Sequence, residues 1–220
     1  MSDDAPVARP AVRWVVVALV AVAVAFAVGR FTAFGATAAP AHPGENSAEA
    51  GFARDMQVHH TQAVLMAMEI YRKTDDDELR TLSYDIATAQ SGQRGEMYGW
   101  LVQWGLPQSS SQPLMTWMET SGEHSHGDTA ALTQEQLLSE MGMATDAQLD
   151  ELRSDQGRPA DCLFLELMIR HHQGAIPMAQ AVIELGSDAR VKEVAGAIVT
   201  GQSAELDAMR DIQSRLSCSA

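Results

Sequence analysis

The sequence predicts an all-α protein in which a four-helix bundle, built from two duplicated helical hairpins, follows an N-terminal transmembrane helix. Three observations carry this. Placing residue n over residue n + 112 without gaps superimposes at least twelve identical residues. Within each half, apolar residues recur at three- and four-residue spacing, the period of an amphipathic helix. Near the N-terminus an uncharged run rich in Val and Ala, Trp14 to Gly29, lies between arginines.

The elements follow in chain order along the 220 residues. Residues 1–13 read as a cytoplasmic N-terminus and 14–35 as a transmembrane anchor or signal segment. The uncharged run would rise about 24 Å, short of a hydrocarbon core of roughly 30 Å, a deficit that Trp14 and snorkelling Arg9, Arg13 and Arg30 can cover. Ala36-Thr37-Ala38 offers a cleavage site, but an arginine between the apolar run and that site is atypical of a cleaved signal. The expectation is a single-pass membrane protein with its C-terminal domain outside the cytoplasm; the alternative is secretion after cleavage. Residues 36–47 form a linker, and 48–216 suit one compact domain.

The repeat sets Phe52 over Phe164, Met56 over Met168, His59-His60 over His171-His172, Ala63 over Ala175, and Met66-Ala67 over Met178-Ala179. It resumes with Ile86 over Ile198, Thr88 over Thr200, Gln90-Ser91 over Gln202-Ser203, and Met97 over Met209. The first hairpin spans 48–105: one helix runs to about Lys73, and Thr74 to Glu78 supply a cap and an acidic first turn for the next. The second spans 159–216, with its turn at Gly186-Ser187-Asp188. Each has an apolar stripe it cannot bury alone, so the two pack together about a pseudo-twofold axis. The connector, 106–158, opens with flexible Gln108-Ser109-Ser110-Ser111 and carries two capping-box starts, Thr133-x2-Gln136 and Thr145-x2-Gln148. Its length would let both halves run in equivalent orientations.

Charge and cysteines narrow the function. From Ala36 onward lie 12 of the 15 basic and 27 of the 29 acidic residues, leaving that part near −15. Such a surface repels nucleic acid and anionic lipid. Cys162 and Cys218 fall in the part expected outside the cytoplasm, where disulfides persist. The estimated hairpin arms leave them about 12 Å out of step at helical rise, so a bridge needs the C-terminus to fold back; a metal-ligand role is the alternative. Nothing resembles a nucleophile–base pair, a phosphate-cradling glycine loop or a dinucleotide fingerprint, which argues against a conventional hydrolase or dehydrogenase.

The chemistry concentrates on the repeated Met-x2-His-His. With Met56 at 0° and about 100° per residue, His60, Ala63, Ala67, His59 and Met66 all fall on one helix face, with small Ala63 between the imidazoles. The metal-ligand candidates are Met56, His59, His60, Met66, Met97, Met168, His171, His172, Met178 and Met209. Gln90, Gln202 and Glu205 are expected to orient the imidazoles from the partner helices, on a stripe that also holds Gln93. Asp161 falls on the histidine-bearing face of the second half and is expected in the same supporting role; its counterpart in the first half is Glu49. Met115, Met118, His124, His126, Met141 and Met143 in the connector are accessory candidates for ion capture or hand-off. Thioether and imidazole suit Cu(I), with Cu(II) on the nitrogens. Copper therefore ranks ahead of zinc, for which methionine is a poor ligand, and of iron, which in a bundle wants Glu-x-x-His. Read as packing alone, the methionines fill the core and a lone histidine would be a hydrogen-bonded core residue; the pair recurring in both halves favours metal. Two sites, or one site drawing a histidine from each half, are both open.

At Phe164-x3-Met168-x2-His171-His172-x2-Ala175-x2-Met178-Ala179, with Met141-Gly142-Met143 and Gln93-x2-Glu96-Met97-x2-Trp100-Leu101, the chain resembles domain of unknown function 305 over about Ala48 to Leu216. The resemblance implies a ferritin-like four-helix bundle, exported or anchored, with copper binding in some members, and singles out Met56, His59, His60, Met168, His171 and His172 as ligands. Three roles are then expected to compete: a copper-binding or buffering protein with a copper-handling partner, a metal-dependent redox enzyme at the bundle centre, and an anchored helical adaptor with core histidines.

Overall fold

Side-chain caps start three of the four bundle helices. The Ser47 hydroxyl accepts from Ala50 N at 3.2 Å to open α2 (Ala48–Tyr71). Asp76 accepts from Leu79 N at 2.9 Å to open α3 (Asp77–Gln103). Asp188 accepts from Arg190 N and Val191 N to open α7 (Ala189–Arg215). The exception is α6 (Gly157–Leu185), which starts without a side-chain cap. Both capping boxes expected in the connector form, at Thr133 before α4 (Gln134–Glu140) and at Thr145 before α5 (Asp146–Ser154). This computed structural model describes residues 10–35, 42–118 and 132–218, and is all-α, with no strand among them.

The chain divides into two compact units, Met1–His42 and Pro43–Ala220. The first holds α1 (Pro10–Gly35), on which Trp14, Leu19 and Phe26 are exposed. Among the described residues no helix is long and apolar enough to cross a membrane. The transmembrane expectation for 14–35 is therefore not carried by the structure.

In the second unit α2 pairs with α3, α6 with α7, and α2 crosses α6. Two apolar clusters fill the bundle. One gathers Phe52 and Met56 of α2, Met97 and Leu101 of α3, Met178 and Val182 of α6, and Val191 and Ile198 of α7. The other gathers Met66 and Ile70, Leu79 and Ile86, Phe164 and Met168, and Leu206 and Met209. The start of α2 thus lies against the end of α6, and the hairpins run in opposite directions rather than in equivalent orientations. Arg215 at the end of α7 pairs with Asp76 at the start of α3, while Arg190 at the start of α7 meets Glu96 near the end of α3. The repeat therefore exchanges the two ends of the bundle. Because each His-His pair lies near the middle of its helix, both pairs meet at the waist of the bundle.

Glu49 and Asp161 serve this packing. Glu49 accepts from Ser187 N and Asp188 N at 2.5 and 3.1 Å, tying α2 to the α6–α7 turn. Burial alone would raise its pKa, yet these amide donors hold it below its ordinary value. Asp161 accepts from the Thr74 hydroxyl at the α2–α3 turn, and its own burial raises its pKa. Asp161 is thus about 15 Å along the helix from His171, and its expected role beside the histidines is corrected to that of a turn tether. Cys162 and Cys218 are disulfide-bonded, with Cα atoms 5.4 Å apart. The C-terminus does fold back: Ser217 adopts φ +50° after α7, and its carbonyl accepts from the Arg158 guanidinium.

Candidate metal centre

Where α2 crosses α6, His59, His60, His171 and His172 form a layer between the two apolar clusters, each with no solvent exposure. The rings of His59 and His171 lie over one another with centroids 3.6 Å apart. Four polar rings in this position need oxygen partners, and three have one each. His59 Nε2 donates to the Met141 carbonyl at 2.9 Å, His60 Nε2 to Gln93 Oε1 at 2.8 Å, and His172 Nε2 to Glu205 Oε2 at 2.6 Å. Each acceptor fixes the proton on Nε2 and leaves Nδ1 with a free lone pair. All three Nδ1 atoms are buried without a hydrogen-bond partner, as are both ring nitrogens of His171.

Burial keeps His59, His60 and His171 neutral. It pushes His59 down to about 3, helped by repulsion from His60 and His172. It pushes His60 down to about 4 even though Gln93 pulls the other way. His171 falls well below its ordinary value through burial and then repulsion from His59, His172 and His60. Neutral imidazole is the form that binds metal.

The methionines divide between the two ends. Met56, Met97 and Met178 share one cluster, where Met115, Met118 and Met141 of the connector join them. Met66, Met168 and Met209 share the other. Met143 packs at the edge of the first cluster, and His124 and His126 lie outside the described residues. Among the described residues no three His, Cys, Asp or Glu side chains group into a metal site. An ion held here would need thioether sulfur beside imidazole, and those are the side chains that surround the layer. The disulfide removes Cys162 and Cys218 from the donor set.

The orienting residues are Gln93 and Glu205, which the offset of 112 places in equivalent positions. Glu205 hydrogen-bonds His172, whereas Gln90 and Gln202 bond no imidazole. Both glutamines are buried, with neither amide atom hydrogen-bonded. Gln93 was legible as the repeat partner of Glu205.

The connector reaches the centre by close backbone approach. A Cβ on Gly174 would collide with the Met141 carbonyl, and one on Gly142 (φ +70°) with the Arg170 carbonyl. Gln62 clasps Ala144, accepting from its N–H at 2.7 Å and donating to its carbonyl at 2.9 Å. Asp55 accepts from Met115 N at 2.7 Å and Trp117 Nε1 at 2.9 Å, and burial raises its carboxyl to about 6.

The fold and centre define a class: a duplicated hairpin bundle with a buried histidine layer flanked by methionine. The family model for the domain of unknown function DUF305 matches residues 49–213, and the chain belongs to that family. It is similar to a solved DUF305 protein from Streptomyces coelicolor, at 39% identity and TM-score 0.69, over 80% of this chain and 97% of that one. A DUF305 fragment from Deinococcus radiodurans matches at 29% identity and TM-score 0.61, over 76% and 96%. CopM in its Cu(I)-bound form shares the fold at 24% identity and TM-score 0.56, over 77% and 96%. No curated protein matches.

Proposed function

We propose that this chain is an extracytoplasmic copper-binding protein that holds Cu(I) at the bundle waist, buffering it or handing it to a copper-handling protein. The observation that carries this is the set of buried Nδ1 lone pairs on His59, His60 and His172, each freed because Nε2–H is engaged elsewhere. A buried nitrogen without a partner is costly in a core designed only for packing. With thioethers on both sides, the donor set suits a soft monovalent ion. His59, His60, His171 and His172 would supply nitrogen, and Met56, Met97, Met178, Met168, Met209 and Met66 are the thioether candidates. Copper bound there would gain neutral, pre-oriented donors in a site that excludes water.

Two features support the wider reading. CopM, of the same fold, has been solved with Cu(I), Cu(II) and silver. The Streptomyces coelicolor relative is described as a candidate secreted protein, and a disulfide fits an oxidising compartment. The exposed Trp14, Leu19 and Phe26 on α1 favour retention at a membrane after export.

Anaerobic titration of the full chain with Cu(I) against a chromophoric chelator tests the proposal, beside His59→Ala/His60→Ala and His171→Ala/His172→Ala variants. Competition with defined stoichiometry, lost in variants that remain helical, is expected. Failure of the wild-type chain to compete would remove copper and favour the adaptor role.

A further inference from the structure

We infer that the two halves of the centre favour different oxidation states of copper: the half around His60 and Gln93 takes Cu(I), and the half around His172 and Glu205 accepts Cu(II). This rests on the copper reading above and goes beyond it in assigning the halves separate ions.

Two differences between equivalent positions point the same way. The first is the residue behind the imidazole. Gln93 offers His60 a neutral amide oxygen at 2.8 Å, whereas Glu205 offers His172 a carboxylate oxygen at 2.6 Å. A carboxylate on the imidazole N–H raises the basicity of the other nitrogen and places negative charge near the ion, which stabilises a dication more than a monocation. The second is thioether supply. Connector residues Met115, Met118 and Met141 join only the cluster on the Met56 side, so soft donors concentrate there.

Exchanging the orienting residues tests this directly, because each variant carries the side chain that the other half already uses. The full-length Glu205→Gln and Gln93→Glu variants are titrated with Cu(I) against a chelator, and with Cu(II) while the nitrogen coupling is followed by electron paramagnetic resonance. Glu205→Gln is expected to weaken Cu(II) binding about 10- to 100-fold and Cu(I) binding less than about threefold. Gln93→Glu is expected to add a second nitrogen-coupled Cu(II) signal, a gain that mere structural damage would not produce. Equal losses for both oxidation states, or Cu(II) binding untouched by both exchanges while Cu(I) is still bound, would overturn the division alone. A wild-type chain that competes for neither ion would overturn both this inference and the function beneath it.

Discussion

The two hairpins share a pattern and differ at several positions where the connector touches one of them. At position 51 the first hairpin has Gly, on which Trp117 sits, and the second has Leu163; at 55 it has Asp, which binds Met115 and Trp117, and the second has Leu167. At 62 the first has Gln, clasping Ala144, while the second has Gly174, cleared for the Met141 carbonyl. Duplication supplies a symmetric layer of imidazoles, and one connector, which cannot be in two places, makes it asymmetric. The difference teaches that the positions departing from the repeat carry as much information as those that keep it.

What the halves share should give the largest effect. Neutral His59 and His60, held at about 3 and 4 against an ordinary 6.5, contribute stability that is complete above pH 6.5 and lost as pH falls through those folded values. Asp55 opposes this, because a carboxyl raised to about 6 gains protonation in the fold between roughly pH 4 and 6. Two depressed histidines outweigh one raised carboxyl, so urea unfolding of the metal-free chain should lose on the order of several kcal/mol from pH 7.5 to 4.5. A flat profile would mean that the imidazoles are hydrated rather than dry.

The disulfide separates the hairpins next, since only the second carries one. Closing a separation of 56 residues, it should stabilise the folded chain by roughly 4 kcal/mol on the chain-entropy account. A Cys162→Ser/Cys218→Ser variant should show that loss in chemical denaturation while retaining Cu(I) binding, because the cysteines are not ligands.

Position 62 and its repeat mate sharpen the comparison further. Gly174→Ala drives a methyl group into the Met141 carbonyl and should cost about 2 to 4 kcal/mol. Gln62→Ala removes two hydrogen bonds to Ala144 and should cost about 1 to 2 kcal/mol. The former should also perturb copper binding by shifting the oxygen that holds His59; thermal unfolding and the chelator assay read both. Equal, small effects would show that the connector is not pressed against α6.

Much of this was legible in the sequence because periodicity and repetition are local or one-dimensional signals. The offset of 112, the cap and acidic turn within Thr74 to Glu78, the turn at Gly186-Ser187-Asp188, and the boxes at Thr133 and Thr145 can each be read from a few residues. The direction of one hairpin against the other is a tertiary fact, and so the opposed orientation was missed. The same gap misplaced Asp161, whose helical face was read correctly but whose height along α6 brings it to a turn. Gln90 and Gln202 share the buried stripe with Gln93 and Glu205, and a helical wheel cannot tell which rung meets an imidazole. The fold-back that pairs Cys162 with Cys218 depends on one left-handed residue, Ser217, which no propensity announces.

X-ray absorption at the copper edge of the Cu(I)-loaded full chain addresses the central claim most directly. The account predicts a mixed shell of nitrogen and sulfur around copper, with the nitrogen contribution lost when the four histidines are replaced. A shell of nitrogen and oxygen without sulfur, unchanged in those variants, would contradict it.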